Sequence, residues 1–214
     1  RSYFAEPTID RSTHPIDPWR WIETAPPTSD LGVAESVFTV GNGYLGVRGN
    51  PEEGRDYTLN GTYVNGLHET WNIQHAEDAY GLARVGQSIV NAPDAKTIRI
   101  YVDDEPFRIS RADLSYYERS LDFRDGVLRR SIEWRTPAGK RVLMDFTRLV
   151  SLTDRHLGIE EVRIVLPEDS APVMLSSQIM NRQDGQDEFG SATSASRPAS
   201  PEDVTQATVN TGSD

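Results

Sequence analysis

The 214-residue sequence carries 22 basic and 33 acidic side chains, for a formal net charge of −11, and has no cysteine. A charge of that sign repels a phosphate backbone, which sets nucleic acid aside as a partner. The missing thiols exclude disulfides, thiolate zinc sites and a cysteine nucleophile. No apolar run approaches the roughly 18 residues of a membrane span and no charged-then-apolar leader opens the chain, so the expectation is a soluble, unexported, cytoplasmic protein without membrane contact.

Residues 1–30 are rich in proline, and Trp19-Arg-Trp-Ile22 fits one short strand within extended chain, its tryptophans packing rather than binding. A helical turn over residues 30–35 develops no periodic apolar face. The stretch Glu35 to Gly49 follows. Within it Gly41-Asn-Gly-Tyr-Leu-Gly46 satisfies the G-x-G-x-x-G pattern, but Asn50-Pro51 bars the helix whose N-terminus would have to receive a pyrophosphate. The stretch reads instead as a strand over residues 37–40, a sharp glycine turn and a second strand over residues 44–48, with Gly43 or Gly46 at positive φ. Glu35 and Arg48 flank the turn and are expected to meet as a partly buried ion pair that supports structure.

Residues 50–58 read as a polar passage, and Asn60-Gly-Thr62 as a turn rather than a glycosylation site. Residues 68–88 show no sustained period and read as a long loop, of the kind that is often functional. From residue 97 onward the period is 2. Ile98, Ile100 and Val102 share a face; Asp103-Asp-Glu-Pro106 turns the chain; residues 116–123 and 127–135 flank Asp125-Gly126, a strong hairpin signal; and Pro137-Ala-Gly139 turns it again. Further alternating segments reach Ile179. Turn signals every 10 or so residues without an amphipathic helix imply packed antiparallel sheets, an all-β sandwich. The polar, small-residue stretch 181–214 is either a flexible tail or a broad loop. The sandwich itself is expected over residues 16–180, after an extended segment 1–15.

Acid–base chemistry needs a carboxyl or imidazole in a cleft, paired across the reacting atom. Asp103, Asp104 and Glu105 sit at a turn tip, and Glu160 and Glu161 are strand neighbours that face opposite sides. His14, His68, His75 and His156 lack metal-ligand spacing, and no G-x-S-x-G motif occurs. The residues therefore present no catalytic site and no metal site.

Five ordered blocks resemble the N-terminal region of glycoside hydrolase family 65, the maltose, trehalose and kojibiose phosphorylases and related hydrolases. They are Glu35 to Gly49 (Glu-Ser-x-Phe-x-x-Gly-Asn-Gly-Tyr-Leu-Gly-x-Arg-Gly), Gly61-Thr-Tyr-Val-Asn-Gly-Leu67, Asn91-Ala-Pro-Asp94, Leu121 to Arg130 and Arg148 to Leu157. The structural motif residues are Glu35, Gly41, Asn42, Gly43, Gly46, Arg48 and Gly49. The resemblance implies a galactose-mutarotase-like β-supersandwich, non-catalytic by itself. It implies a separate (α/α)6 barrel as intramolecular partner, a disaccharide substrate, inorganic phosphate as co-substrate if the parent is a phosphorylase, no other cofactor, and a homodimer of the full-length enzyme. The segment containing His68, Glu69, Trp71 and Asn72 follows the second block and is a candidate loop at the substrate mouth, with packing of Trp71 on the sandwich as the alternative. A free-standing carbohydrate-binding sandwich and a purely structural or interaction domain are the competing readings of the whole chain.

Overall fold

The computed structural model describes residues 9–28, 31–54, 60–77, 79–168 and 170–180. The stretch 181–214, expected to be a tail or loop, lies outside them. The described residues form twelve strands and one short helix: β1 (Arg20–Glu23), α1 (Leu31–Val37), β2 (Val40–Gly41), β3 (Leu45–Val47), β4 (Thr62–Asn72), β5 (Val85–Asn91), β6 (Asp94–Val102), β7 (Glu105–Pro106), β8 (Asp113–Asp122), β9 (Val127–Arg135), β10 (Arg141–Val150), β11 (Gly158–Val165) and β12 (Val173–Met180). All pairings are antiparallel. The largest sheet has the order β1-β8-β9-β10-β11; a second runs β12-β6-β7, and a third β2-β3-β4-β5.

The period-2 pattern of β8, β9 and β10 points one side chain in two toward the interior, and both smaller sheets pack on that face. At one end Ile100, Val102 and Phe107 meet Tyr117, Ile132, Trp134, Val142, Met144 and Phe146. At the other, Phe38 and Val40 meet Leu121, Leu128 and Val150, with Trp21, Leu45 and Val47 alongside. The expected antiparallel meander and its turns are present: Asp103 and Asp104 turn the chain at φ 51° and 63°, and Gly126 and Gly139 hold φ of 66° and 86°.

Two expectations are corrected and a third is refined. The strand expected over residues 37–40 shrinks to Val40–Gly41, because α1 extends through Val37. A seven-residue helix without an apolar stripe depends on tertiary anchors, and here Glu35 and the carbonyl of Gly32 both bind Arg48. The polar passage after Gly49 is buried in its described part, with Asn50, Glu52 and Glu53 inside, the last only 1% exposed. Residues 68–88 are not one continuous loop: residues 68–72 belong to β4 and residues 85–88 to β5, and only the stretch between them lies outside the strands. β4 and β5 pair from His68↔Ile89 to Asn72↔Val85 as a long two-stranded arm. No alternation marked it because neither of its faces is buried in the sandwich, so no face selects apolar residues.

Candidate functional site

Asn42 is the hub of the glycine turn. Its side-chain oxygen accepts from the backbone N–H groups of Tyr44 and Leu45 at 3.0 and 2.9 Å, closing the turn from inside. Its amide donates to the carbonyls of Ser151 and Arg155 at 2.6 and 3.1 Å, which ties the first sequence block to the last. The Tyr44 ring meets His156 edge-on at 4.7 Å and lies under the Arg155 guanidinium. Gly43 holds φ +84°, as a turn residue without Cβ can. Gly46 has no such φ, and a Cβ there would meet nothing, so of the two glycines expected to supply a positive φ it is Gly43 that does. Gly49 earns its place by close approach: a Cβ would lie 2.6 Å from the Phe38 Cβ. Glu35 and Arg48 do form the expected ion pair, at 3.2 Å and mostly buried.

From Asn65, whose N–H donates to the Tyr44 carbonyl at 2.7 Å, β4 runs outward as the arm. Strand alternation divides the four candidate mouth residues. Glu69 and Trp71 share one face with Gly86 and Ser88; His68 and Asn72 share the other with Ile89 and Val85. All four are exposed. The Trp71 indole lies flat over Gly86, where a Cβ would come within 2.4 Å of the ring. A cross-strand glycine thus receives one face of the indole and leaves the other outward, with Trp71 51% exposed. Near the tip, His75 Nε2 lies 2.7 Å from the Ala83 carbonyl, and Tyr80 is fully exposed.

A third feature escaped sequence reasoning. Between the two apolar clusters lies a buried layer of charge in which β8, β9 and β10 each turn one arginine inward. Arg119 binds Glu23 at 2.8 Å and donates to the Gly49 carbonyl. Arg130 lies 2.5 Å from both Glu52 and Glu53, and its guanidinium stacks over Phe146. Arg148 reaches Glu52 at 2.7 Å and Glu160 at 3.0 Å and also donates to the carbonyls of Arg48 and Asn50. Burial opposes the charge on Arg130 and Arg148, but the facing carboxylates outweigh it and raise both pKa values. Burial alone would raise Glu52, yet Arg130 and Arg148 hold it below the usual carboxylate range. Glu160 differs. Burial, reinforced by Glu52, outweighs Arg148 and pushes it up to about 7. Four carboxylates thus face three guanidinium groups, and below about pH 7 a proton on Glu160 balances the set. Lys96, bonded to Asp94 at 2.8 Å and to the buried Asn60 side chain, continues the network, its pKa lowered by burial. The available signal was an arginine in an inward register position: Tyr117-x-Arg119-x-Leu121, Leu128-x-Arg130-x-Ile132 and Phe146-x-Arg148-x-Val150.

These contacts link the five sequence blocks to one another and to the segment 50–54, and they involve no paired acid and base open to a cleft among the described residues. Among those residues there is also no cluster of histidine and carboxylate groups able to hold a metal, and no helix long and apolar enough to cross a membrane.

A family model described as glycosyl hydrolase family 65, N-terminal domain, matches residues 21–211. An uncharacterized glycosyl hydrolase of Mycobacterium tuberculosis is 38% identical over 176 residues, covering 82% of this chain and 22% of the relative. An alpha,alpha-trehalose phosphorylase of Thermoanaerobacter brockii is 37% identical over 148 residues, 67% of this chain and 19% of its own length. Among solved structures, a protein assigned as a kojibiose phosphorylase, from the human microbiome, superposes with a TM-score of 0.63 at 26% identity, covering 71% of this chain and 20% of that one. The chain therefore spans about a fifth of the length of these relatives.

Proposed function

Because the chain belongs to the N-terminal domain family of glycosyl hydrolase family 65, we propose that it is the non-catalytic module of an enzyme that cleaves an α-linked disaccharide such as maltose, trehalose or kojibiose. In this reading the chemistry resides in an (α/α)6 barrel of the same polypeptide. There an acid protonates the glycosidic oxygen while a phosphate oxygen, or water in a hydrolase, bonds to the anomeric carbon with inversion as the C–O bond breaks. Inorganic phosphate is then co-substrate, not cofactor. The parent enzyme is a cytoplasmic homodimer.

The observation that carries this reading is the share of the relatives covered: this family segment accounts for about a fifth of proteins named as phosphorylases and glycosyl hydrolases. The buried carboxylates support it as well. Glu23, Glu52, Glu53 and Glu160 each face a guanidinium of the layer, and the first three are buried in the sandwich away from any sugar. The contribution of this chain to the reaction is architectural, with the arm brought to the mouth of the barrel and the outward face of Trp71 available to stack on a pyranose. That exposed indole is also what favours the second reading, a free-standing carbohydrate-binding sandwich.

Activity separates the two readings. The full reading frame is expected to release hexose and sugar phosphate from at least one of the three disaccharides in the presence of phosphate, or hexose alone without it, while residues 1–214 alone release nothing above a no-protein blank. Turnover by residues 1–214 that survives repurification, or a reading frame without a downstream barrel, would overturn the proposal.

A further inference from the structure

The eleven residues of β4 and the seven of β5 carry a single charged side chain, Glu69, although 26% of the whole sequence is charged. That charge lies on the Trp71 face. The opposite face presents His68, Thr70 and Asn72 on β4 against Ile89, Gln87 and Val85 on β5, with no formal charge and with Val85 57% exposed. Among the described residues β5 is also the outer strand of its sheet. Outer strands are normally guarded against pairing by lysine, proline or inward charge, and Val85-Gly-Gln-Ser-Ile-Val-Asn91 has none of these. The edge strand β11 carries Glu160, Glu161 and Arg163 among its eight residues. Depletion of charge together with exposed aliphatic and amide groups is the composition of an interface core.

We infer that the His68/Thr70/Asn72 face of the arm and the free edge of β5 form a docking surface for the polypeptide downstream of residue 214, while the Glu69/Trp71 face stays open to solvent and substrate. The occupant is the same chain rather than a second copy because the family is an N-terminal domain and the matched segment makes up only about a fifth of the relatives. A charge-free face on a chain of net charge −11 also avoids repulsion by a partner of either sign. This inference rests on the module reading above.

The test uses the full-length protein and exploits the lack of native cysteine in this segment. Single variants Thr70→Cys and Gln87→Cys report the docking face, and Ser88→Cys the open face. All three replace exposed polar side chains, so folding is expected to be retained. Maleimide labelling is followed at each site by peptide mass spectrometry, relative to the same site in the denatured protein. Thr70→Cys and Gln87→Cys are expected to label at least about tenfold more slowly than Ser88→Cys at every protein concentration. Fast labelling at the first two sites, or equal protection at all three, overturns the assignment of faces. Protection that fades on dilution assigns the surface to a second copy and also overturns it. Disaccharide cleavage by the same preparations separates this failure from failure of the module reading, since an active enzyme with a freely labelled docking face would refute the docking surface alone.

Discussion

The charged layer and the β4–β5 arm invert the usual distribution of polarity, and they do so in opposite ways. In the layer, seven ionised or ionisable side chains sit inside the sandwich and find their partners among themselves. In the arm, aliphatic, aromatic and amide groups sit outside and find almost none. The layer is therefore a finished structure that this chain completes alone. The arm is an unfinished one, whose stability as drawn rests on backbone pairing and on the Trp71–Gly86 contact. A module built in this way has a self-sufficient interior and a surface that needs the rest of its protein.

The strongest way to break the comparison is to unbalance the layer. Arg130→Ala leaves Glu52 and Glu53 buried without their nearest cation, and a loss of about 3–5 kcal/mol is expected in urea denaturation. Arg129→Ala, one residue away on the exposed face, should cost under about 0.5 kcal/mol. Equal effects would mean that the layer is not what holds the sheets together.

The layer also predicts a pH dependence of definite sign. Glu160 is raised from its ordinary value to about 7 in the folded protein, so between about pH 4.5 and 7 the folded state binds more protons than the unfolded one. This contribution is complete at the acid end of that window and is lost as pH rises through about 7, a decline of about 1–3 kcal/mol, whereas Glu52, held below its ordinary value, contributes with the opposite sign and only below about pH 4.5. Glu160→Gln, which stays neutral, should flatten the profile in that window. An unchanged slope in the variant would show that the proton is not held there.

Smaller effects are expected in the glycine turn. Gly49→Ala drives a methyl group into Phe38 and should cost about 2 kcal/mol. Gly43→Ala strains a positive φ for about 1 kcal/mol, and Gly46→Ala should be nearly neutral. A thermal melt ranking Gly46 above Gly49 would contradict the geometry. A small effect on stability is also expected in the arm. Trp71→Ala should change the folding free energy by under about 1 kcal/mol while raising KM or lowering kcat of the full-length enzyme, and unaltered kinetics on its best disaccharide would remove Trp71 from the substrate mouth.

What the sequence disclosed follows the same division. The strands β6 and β8 to β10 were legible because one face of each is buried, which imposes a period of 2, and Asp125-Gly126 and Pro137-Ala-Gly139 marked their turns. The Glu35–Arg48 pair was legible from its position across the turn. The arm was not, since strands exposed on both faces carry no alternation, and a pattern-based reading turns such strands into loops. Helix α1 was read only as a turn over residues 30–35 and its extension to Val37 was not foreseen, because its anchor, Arg48, lies eleven residues beyond its end. The layer was hidden by the assumption that charged residues mark the surface, although the inward register of Arg119, Arg130 and Arg148 could be counted from their apolar neighbours.

Amide hydrogen exchange on residues 1–214 alone and within the full-length protein tests the contrast most directly. The account predicts that amides of β8, β9 and β10 exchange at the same slow rates in both, while those of β5 exchange rapidly in the isolated chain and are protected in the full-length protein. Equal exchange of β5 in the two, or loss of protection in β8 to β10 when the chain is isolated, would contradict it.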